Sequence, residues 1–207
     1  MIDPVARIMV DFVQMKEFVS APFIIDHAEG IYLYDTAGKQ YIDGLAGVFV
    51  VSVGHRNTAV LESIMDQMQR LTFAPPLASA NLPAIKLAER ICQLTPPQFN
   101  RVKFASGGSE AVETAIKMAL QYHKQHGQPE RYKIIGAYGA YHGGTLGALS
   151  ASGVSSRRTS FEPLIGSMIH VHPPNFRHCP LRLDAKQCET SCVLQFEETI
   201  RREGPDT

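Results

Sequence analysis

No charge of either sign predominates in this 207-residue chain: 20 Lys and Arg stand against 20 Asp and Glu. Phosphate-backbone recognition needs a basic excess, so the balance argues against a nucleic-acid partner. Long apolar runs are missing too. The longest stretch without Asp, Glu, Lys or Arg, Ile134 to Ser156, contains six glycines and His142 and makes a poor membrane span. The amino-terminal sequence MIDPVARIMVDFVQMKEFVS has an early acid and no long apolar core, unlike a signal peptide. Cysteine is scarce, and Cys92, Cys179, Cys188 and Cys192 do not form a disulfide framework at this length. A cytoplasmic, reduced protein is the expectation. Neither an internal repeat nor a low-complexity tract is evident. Two familiar phosphate loops are also absent: there is no G-x-x-x-x-G-K-[ST], and no G-x-G-x-x-G opens a helix, which leaves ATP and NAD weakly supported.

What remains has the balance of a folded chain, with 44% hydrophobic and 19% charged residues. The length suits one large domain or two small ones. Val5, Ile8, Phe12, Met15 and Val19 recur at helical spacing, which predicts an amphipathic helix ended by Pro22. Phe23–Ile25, Ile31–Tyr34 and Gln40–Ile42 are β-prone runs. Asp35-Thr36-Ala37-Gly38 is a turn between the second and third, so a small antiparallel sheet follows. Leu61, Ile64, Met65, Met68 and Leu71 predict a second helix. The uncharged stretch Thr72–Pro83, which holds three prolines, separates two domains.

After it, helix and strand alternate. Helices are expected over Leu82–Leu94, Glu110–Gln125, Thr145–Ser152 and around Cys192–Ile200. Strands are expected over Val102–Ala105, Tyr132–Ala137 and Met168–Val171. Alternation of this kind implies an α/β fold with a mainly parallel sheet covered on both faces.

Two segments could carry chemistry. In RVKFASGGSEAVETAIKMA (Arg101–Ala119) a strand feeds a small-residue loop that opens a helix. Unpaired amides and the positive dipole end favour a phosphate there. Gly107 and Gly108 let a ligand approach the backbone, and Ser109 adds a hydroxyl. A plain helix cap explains the same residues. In GAYGAYHGGT (Gly136–Thr145) Tyr141 and His142 stand among glycines after a strand, where open α/β sheets bind ligands. A ring there can stack on a flat heterocycle, or Tyr138 and Tyr141 can simply pack over the sheet edge. A phosphate at one loop and a ring at the other would suit a phosphorylated aromatic cofactor such as pyridoxal 5'-phosphate.

YLYDTAGKQYIDGLAGVFVVSVGH, KFASGGSEAVETAIKMALQYH, GAYHGGTLGALSASG and FEPLIGSMIHVHPPNFRHCPL together resemble the N-terminal half of a class III, fold-type I, pyridoxal-phosphate-dependent aminotransferase. The likeness is nearest the ω-amino acid or taurine–pyruvate type. It runs from about Ile24 onward. It implies a three-layer sandwich, with residues 76–207 as the first part of the large cofactor-binding domain. Residues 1–75 would be the amino-terminal segment of the small domain, with its helix and antiparallel sheet. Gly107, Gly108 and Ser109 would bind the cofactor phosphate, and Tyr141 would stack on its ring beside His142. Phe49 would line the substrate pocket near a homodimer interface. Many members have Ser where Gly107 stands, so one hydroxyl of the cup is missing here.

The resemblance also implies a Schiff-base lysine and an aspartate facing the pyridinium nitrogen, both beyond the point matching Thr207. Lys117, Lys124, Lys133 and Lys186 lack that context, as do Asp184 and Asp206. The expectation is a truncated transaminase, inactive alone, whose whole form moves an amino group from an amine or amino acid to a keto acid such as pyruvate. Two alternatives stand beside it. Gly107-Gly108-Ser109-Glu110-Ala111 is a near miss to G-x-S-x-G, which would make Ser109 the nucleophile of a serine hydrolase. The third reading is a non-catalytic fragment. Cys179, Cys188 and Cys192 beside His178 do not match a familiar zinc spacing, and no metal is expected.

Overall fold

The computed structural model describes residues 4–179 and 182–207, with the side chains of residues 176 and 185–190 excepted. The chain divides into two compact units, Met1–Glu89 and Arg90–Thr207. This division falls inside a helix, whereas the sequence reading sets its boundary at 75/76.

In the first unit the expected amino-terminal helix is broken. A 3-10 turn spans Pro4–Arg7, and α1 is confined to Met15–Ser20. Between them Phe12 turns to a φ of 62°. Met9 and Phe12 stay 90% and 84% exposed, so no burial offsets the cost of continuing a short helix through them. The antiparallel sheet forms as expected, from β1 (Ile25–Glu29), β2 (Tyr32–Asp35) and β3 (Gln40–Ile42) in that order. Its β2–β3 turn is organised by Asp35, whose carboxylate accepts from the Ala37 and Lys39 amides at 2.9 Å each and from the Tyr41 hydroxyl at 2.8 Å. Gly38 supplies the positive φ of 79° that closes it.

After β3 comes a single left-handed turn, Ala46–Phe49 (α2). Ala46, Val48 and Phe49 have φ of 47°, 58° and 72°. Left-handed backbone costs an L-residue about 1–2 kcal/mol, and a β-branched valine there is a genuine outlier. Asp43 holds the turn. One carboxylate oxygen accepts from the Gly47 amide at 2.9 Å and lies 2.8 Å from His55 Nε2. His55 is fixed in turn by paired backbone bonds with Gly30 of 2.7 and 3.1 Å.

The His55 bond, and then the Gly47 and Leu45 amides, hold the Asp43 carboxyl below its ordinary value of 3.8. A depressed folded value means that Asp43 stabilises the turn above that ordinary value and ceases to as the pH falls through the lowered one. Hydrogen exchange should therefore show the Gly47 amide losing protection below pH 3.8 in the native chain. Asp43→Asn should remove this acid step and leave Gly47 less protected at neutral pH.

Helices α3 (Thr58–Arg70) and α4 (Leu82–Leu94) follow, capped by side-chain oxygens of Asn57 and Asn81 that accept from Val60 and Ala84 amides at 3.2 and 2.9 Å. No described residue of the first unit is buried.

The second unit contains α5 (Gly108–Gln125), β4 (Ile134–Ala137), α6 (Leu146–Ala151), α7 (Ser155–Arg158), β5 (Met168–Val171) and α8 (Ala185–Glu203). Strands β4 and β5 pair in parallel, with Ile134 opposite Met168 and Ala137 opposite Val171. The strand expected over Val102–Ala105 is not formed: the segment joins no ladder among the described residues, and a strand exists only through its partner. Gly204 ends α8 with a φ of 94°, as the Gly204-Pro205 stop requires.

Among the described residues the buried apolar ones are few and cluster here: Ala148, Leu149, Ala151, Val171 and Cys192. Ser150 and Ser152 are buried among them and fully bonded. Ser150 Oγ donates to the Leu146 carbonyl at 2.5 Å and accepts from the Ile165 amide at 3.1 Å. A small-residue helix suits this place because backbones meet closely. A methyl at Gly136 would strike the Ala151 carbonyl oxygen, and one at Gly153 would strike the Ala137 carbonyl and lie 2.5 Å from Tyr138 Cα. The polypeptide leaving α6 is thereby clipped onto the end of β4, with the Gly153 amide donating to Ala140 at 2.8 Å.

No described helix is long and apolar enough to cross a membrane. Cys188 and Lys186 have side chains outside the described residues, so the cysteine group near α8 is not placed as a whole.

Candidate cofactor site

The two glycine-containing loops, 35 residues apart in sequence, meet. Ser109 sits in the first turn of α5, and its Oγ accepts from the Gly144 amide at 2.9 Å. At Gly143, whose φ is +139°, an added methyl would lie 2.6 Å from Ser109 Oγ, 2.9 Å from Ser109 Cα and 2.8 Å from Ala148 Cβ. Such contact is open only to glycine.

The N-cap of α5 is Gly107, in extended conformation. The first-turn amides of Gly108, Ser109 and Glu110 have no acceptor within the helix, as at every helix start. Nothing lies within 4 Å of a methyl placed at Gly107 or Gly108, so the backbone there is open to a ligand. Glu110 reaches back from the third helical position, and its carboxylate accepts from the Ser106 amide at 2.9 Å. That is one leg of a capping arrangement.

Tyr141 is 61% exposed, and the Arg157 guanidinium lies 6.0 Å from its ring centre. Its neighbour His142 is anchored through its amide, which donates to the buried Ser152 Oγ at 2.8 Å. One residue escaped the sequence reading. Glu113, one turn along α5 from Ser109, accepts at Oε1 from Thr145 Oγ1 at 2.7 Å, from the Gly147 amide at 2.8 Å and from the Ala148 amide at 3.2 Å. The Thr145 bond first, then the two amides, hold its carboxyl below the ordinary range. The available signal was spacing: residues four apart share one helix face.

The structure thus brings the loop of Gly107, Gly108 and Ser109 against the loop that carries Tyr141 and His142, with the contact at Ser109, Gly143 and Gly144. Phe49 belongs to the first unit, in the left-handed turn, where it is 78% exposed. No imidazole bonds Ser109 Oγ among the described residues, and the bond it makes there is accepted from the Gly144 amide. A hydrolase nucleophile needs a base within hydrogen-bond reach, and Ser109 bonds none among the described residues.

The arrangement suits a phosphorylated aromatic group: open amides and a hydroxyl for a dianion, with an aromatic ring on the facing loop. Comparison with known proteins agrees. Residues 14–207 match the aminotransferase class-III family, and the chain belongs to it. A probable aminotransferase of Mycobacterium tuberculosis is 41% identical over 89% of this chain and 40% of that protein. An adenosylmethionine-8-amino-7-oxononanoate aminotransferase of Nitratidesulfovibrio vulgaris is 34% identical over 96% of this chain and 37% of that protein. The (S)-enantioselective omega-transaminase of Thermomicrobium roseum superposes with a TM-score of 0.91 at 36% identity, over 98% of this chain and 45% of that one. The omega-transaminase of Pseudomonas jessenii, solved in complex with PMP, superposes with a TM-score of 0.88 at 26% identity over 98% of this chain and 46% of that one. The chain therefore has the fold-type I architecture of these transaminases and spans less than half the length of each. The family depends on pyridoxal phosphate.

Proposed function

We propose that this chain supplies the phosphate cup and ring wall of a pyridoxal-phosphate-dependent transaminase of the ω type. The whole enzyme would move an amino group from an amine or amino acid to a keto acid such as pyruvate, as a cytoplasmic homodimer. The junction of the two loops at Ser109 and Gly144 carries this reading. Residues 76–207 would be the first part of the large domain, and 1–75 would belong to the small one.

Bound pyridoxal phosphate would supply an electron sink for the carbon whose proton is removed. The chain's own residues hold and orient it. The amides of Gly108 and Ser109, with the Ser109 hydroxyl, would bind the phosphate at the start of α5. Ser109 Oγ already accepts from Gly144, so its proton is free to donate. Gly107 adds main-chain approach without a hydroxyl. Tyr141 would cover one face of the ring and exclude water there, with His142 shaping the same wall. Phe49, from its strained turn, would add apolar surface to the substrate pocket.

No lysine of α5 or β4 is offered as a covalent anchor. Lys133, just before β4, bonds Glu203 instead, at 3.1 Å to its carboxylate. We therefore propose that the chain binds the cofactor reversibly and does not itself turn over. Titration with pyridoxal phosphate, read by visible absorbance, should saturate, and borohydride should not fix the cofactor at this site. Tyr141→Ala should weaken binding roughly tenfold, from lost stacking and burial. Unchanged affinity in that variant would count against the ring wall.

A further inference from the structure

We propose that Glu113 is a positioning residue for the cofactor ring: it holds the Tyr141–Thr145 loop against the phosphate cup without touching the cofactor. The proposal rests on the cofactor reading above and assigns a role to a residue outside the cup.

The loop that carries Tyr141 reaches α6 through Gly143, Gly144 and Thr145. Four polar groups along Gly144–Ala148 are anchored on α5: Gly144 on Ser109, and Thr145, Gly147 and Ala148 all on Glu113 Oε1. Ser109 and Glu113 are four residues apart on one helix and point the same way. The phosphate-binding amides and the ring-bearing loop are thus referred to a single rigid element. The two anchors differ, however. Ser109 is part of the cup. Glu113 lies one turn further along and bonds the last residue of the loop, Thr145, and the first-turn amides of α6 at Gly147 and Ala148, which fix where the loop ends. Gly147 shows how closely the carboxylate is packed, since a methyl there would strike Glu113 Oε2 and lie 2.8 Å from both Cδ and Oε1.

Deleting the carboxylate should therefore free the ring wall and leave the amides of Gly108 and Ser109 in place. Binding of the two halves of the cofactor should separate. Because all three donors converge on one oxygen, the neutral carbonyl of a glutamine can replace it.

The test combines amide hydrogen exchange of the cofactor-free chain with titrations of pyridoxal phosphate and of inorganic phosphate. Glu113→Ala should speed exchange at Gly144, Gly147 and Ala148 about tenfold and weaken pyridoxal phosphate about tenfold, the scale of one lost hydrogen bond to a charged group. Inorganic phosphate should bind as before, and exchange within β4 and the body of α5 should not change. Gly147→Ala, which displaces the carboxylate without removing it, should do the same. Glu113→Gln should behave as the native chain. Native exchange at the three amides in Glu113→Ala would overturn the proposal. So would a parallel loss of phosphate and cofactor, or a glutamine variant as impaired as the alanine one. Failure of the native chain to bind pyridoxal phosphate would instead overturn the cofactor reading, and exchange alone would then decide whether Glu113 anchors the loop.

Discussion

Gly143→Ala is expected to force the two loops apart. The new methyl meets Ser109 at both Oγ and Cα, and Ala148 at Cβ. A side-chain oxygen can rotate away, but a Cα on a helix cannot, so α5 and the loop must separate. The backbone at φ +139° adds strain for any residue with a Cβ. Overpacking and strain together should cost roughly 2–4 kcal/mol, read as an earlier urea midpoint by circular dichroism. Pyridoxal phosphate binding should fall below detection, because the cup and the ring wall no longer face one ligand. A variant with native stability and native affinity would show that the contact between the loops is not needed.

Ser109→Ala should have the second largest effect, through a different route. It removes the hydroxyl that would donate to the phosphate and the acceptor now used by the Gly144 amide. Hydrogen bonds to charged groups contribute about 1.5–3 kcal/mol, so affinity for pyridoxal phosphate should drop roughly 10- to 100-fold. Inorganic phosphate should weaken as well, which distinguishes this variant from Glu113→Ala. Equal titration curves for the native chain and Ser109→Ala would remove Ser109 from the cup.

Legibility in the sequence was uneven, for physical reasons. Helix α5 was readable because Val112 and Ile116 recur at its period while the opening glycines mark its start. The β2–β3 turn was readable because Asp35 and Gly38 each do one local job. Non-local dependences were not. Val102–Ala105 looks like a strand, yet a strand needs a neighbour to pair with. The Val5–Val19 stripe looks like a helix, yet Met9 and Phe12 at its middle stay 90% and 84% exposed, so helical spacing alone does not bury them. In the site, Gly108, Ser109 and Tyr141 stood out by composition and by likeness to known motifs. Glu113 did not, since its three partners lie more than thirty residues downstream in sequence. Likewise, nothing in GLAGVFVVSVGH foretold a left-handed turn through Ala46, Val48 and Phe49, which depends on an Asp43 bond to a histidine beyond the segment's apolar stretch.

The first unit, in which no described residue is buried, has a consequence for handling the polypeptide. Val48, Phe49, Val50, Phe73 and Leu77 are each more than two-thirds exposed, at 68, 78, 80, 73 and 82%. Hydrophobic side chains without an interior remain adhesive in water. Expressed alone, such a segment would be held in solution less by its own fold than by whatever shields it: detergent, a folding helper, or a matching apolar surface.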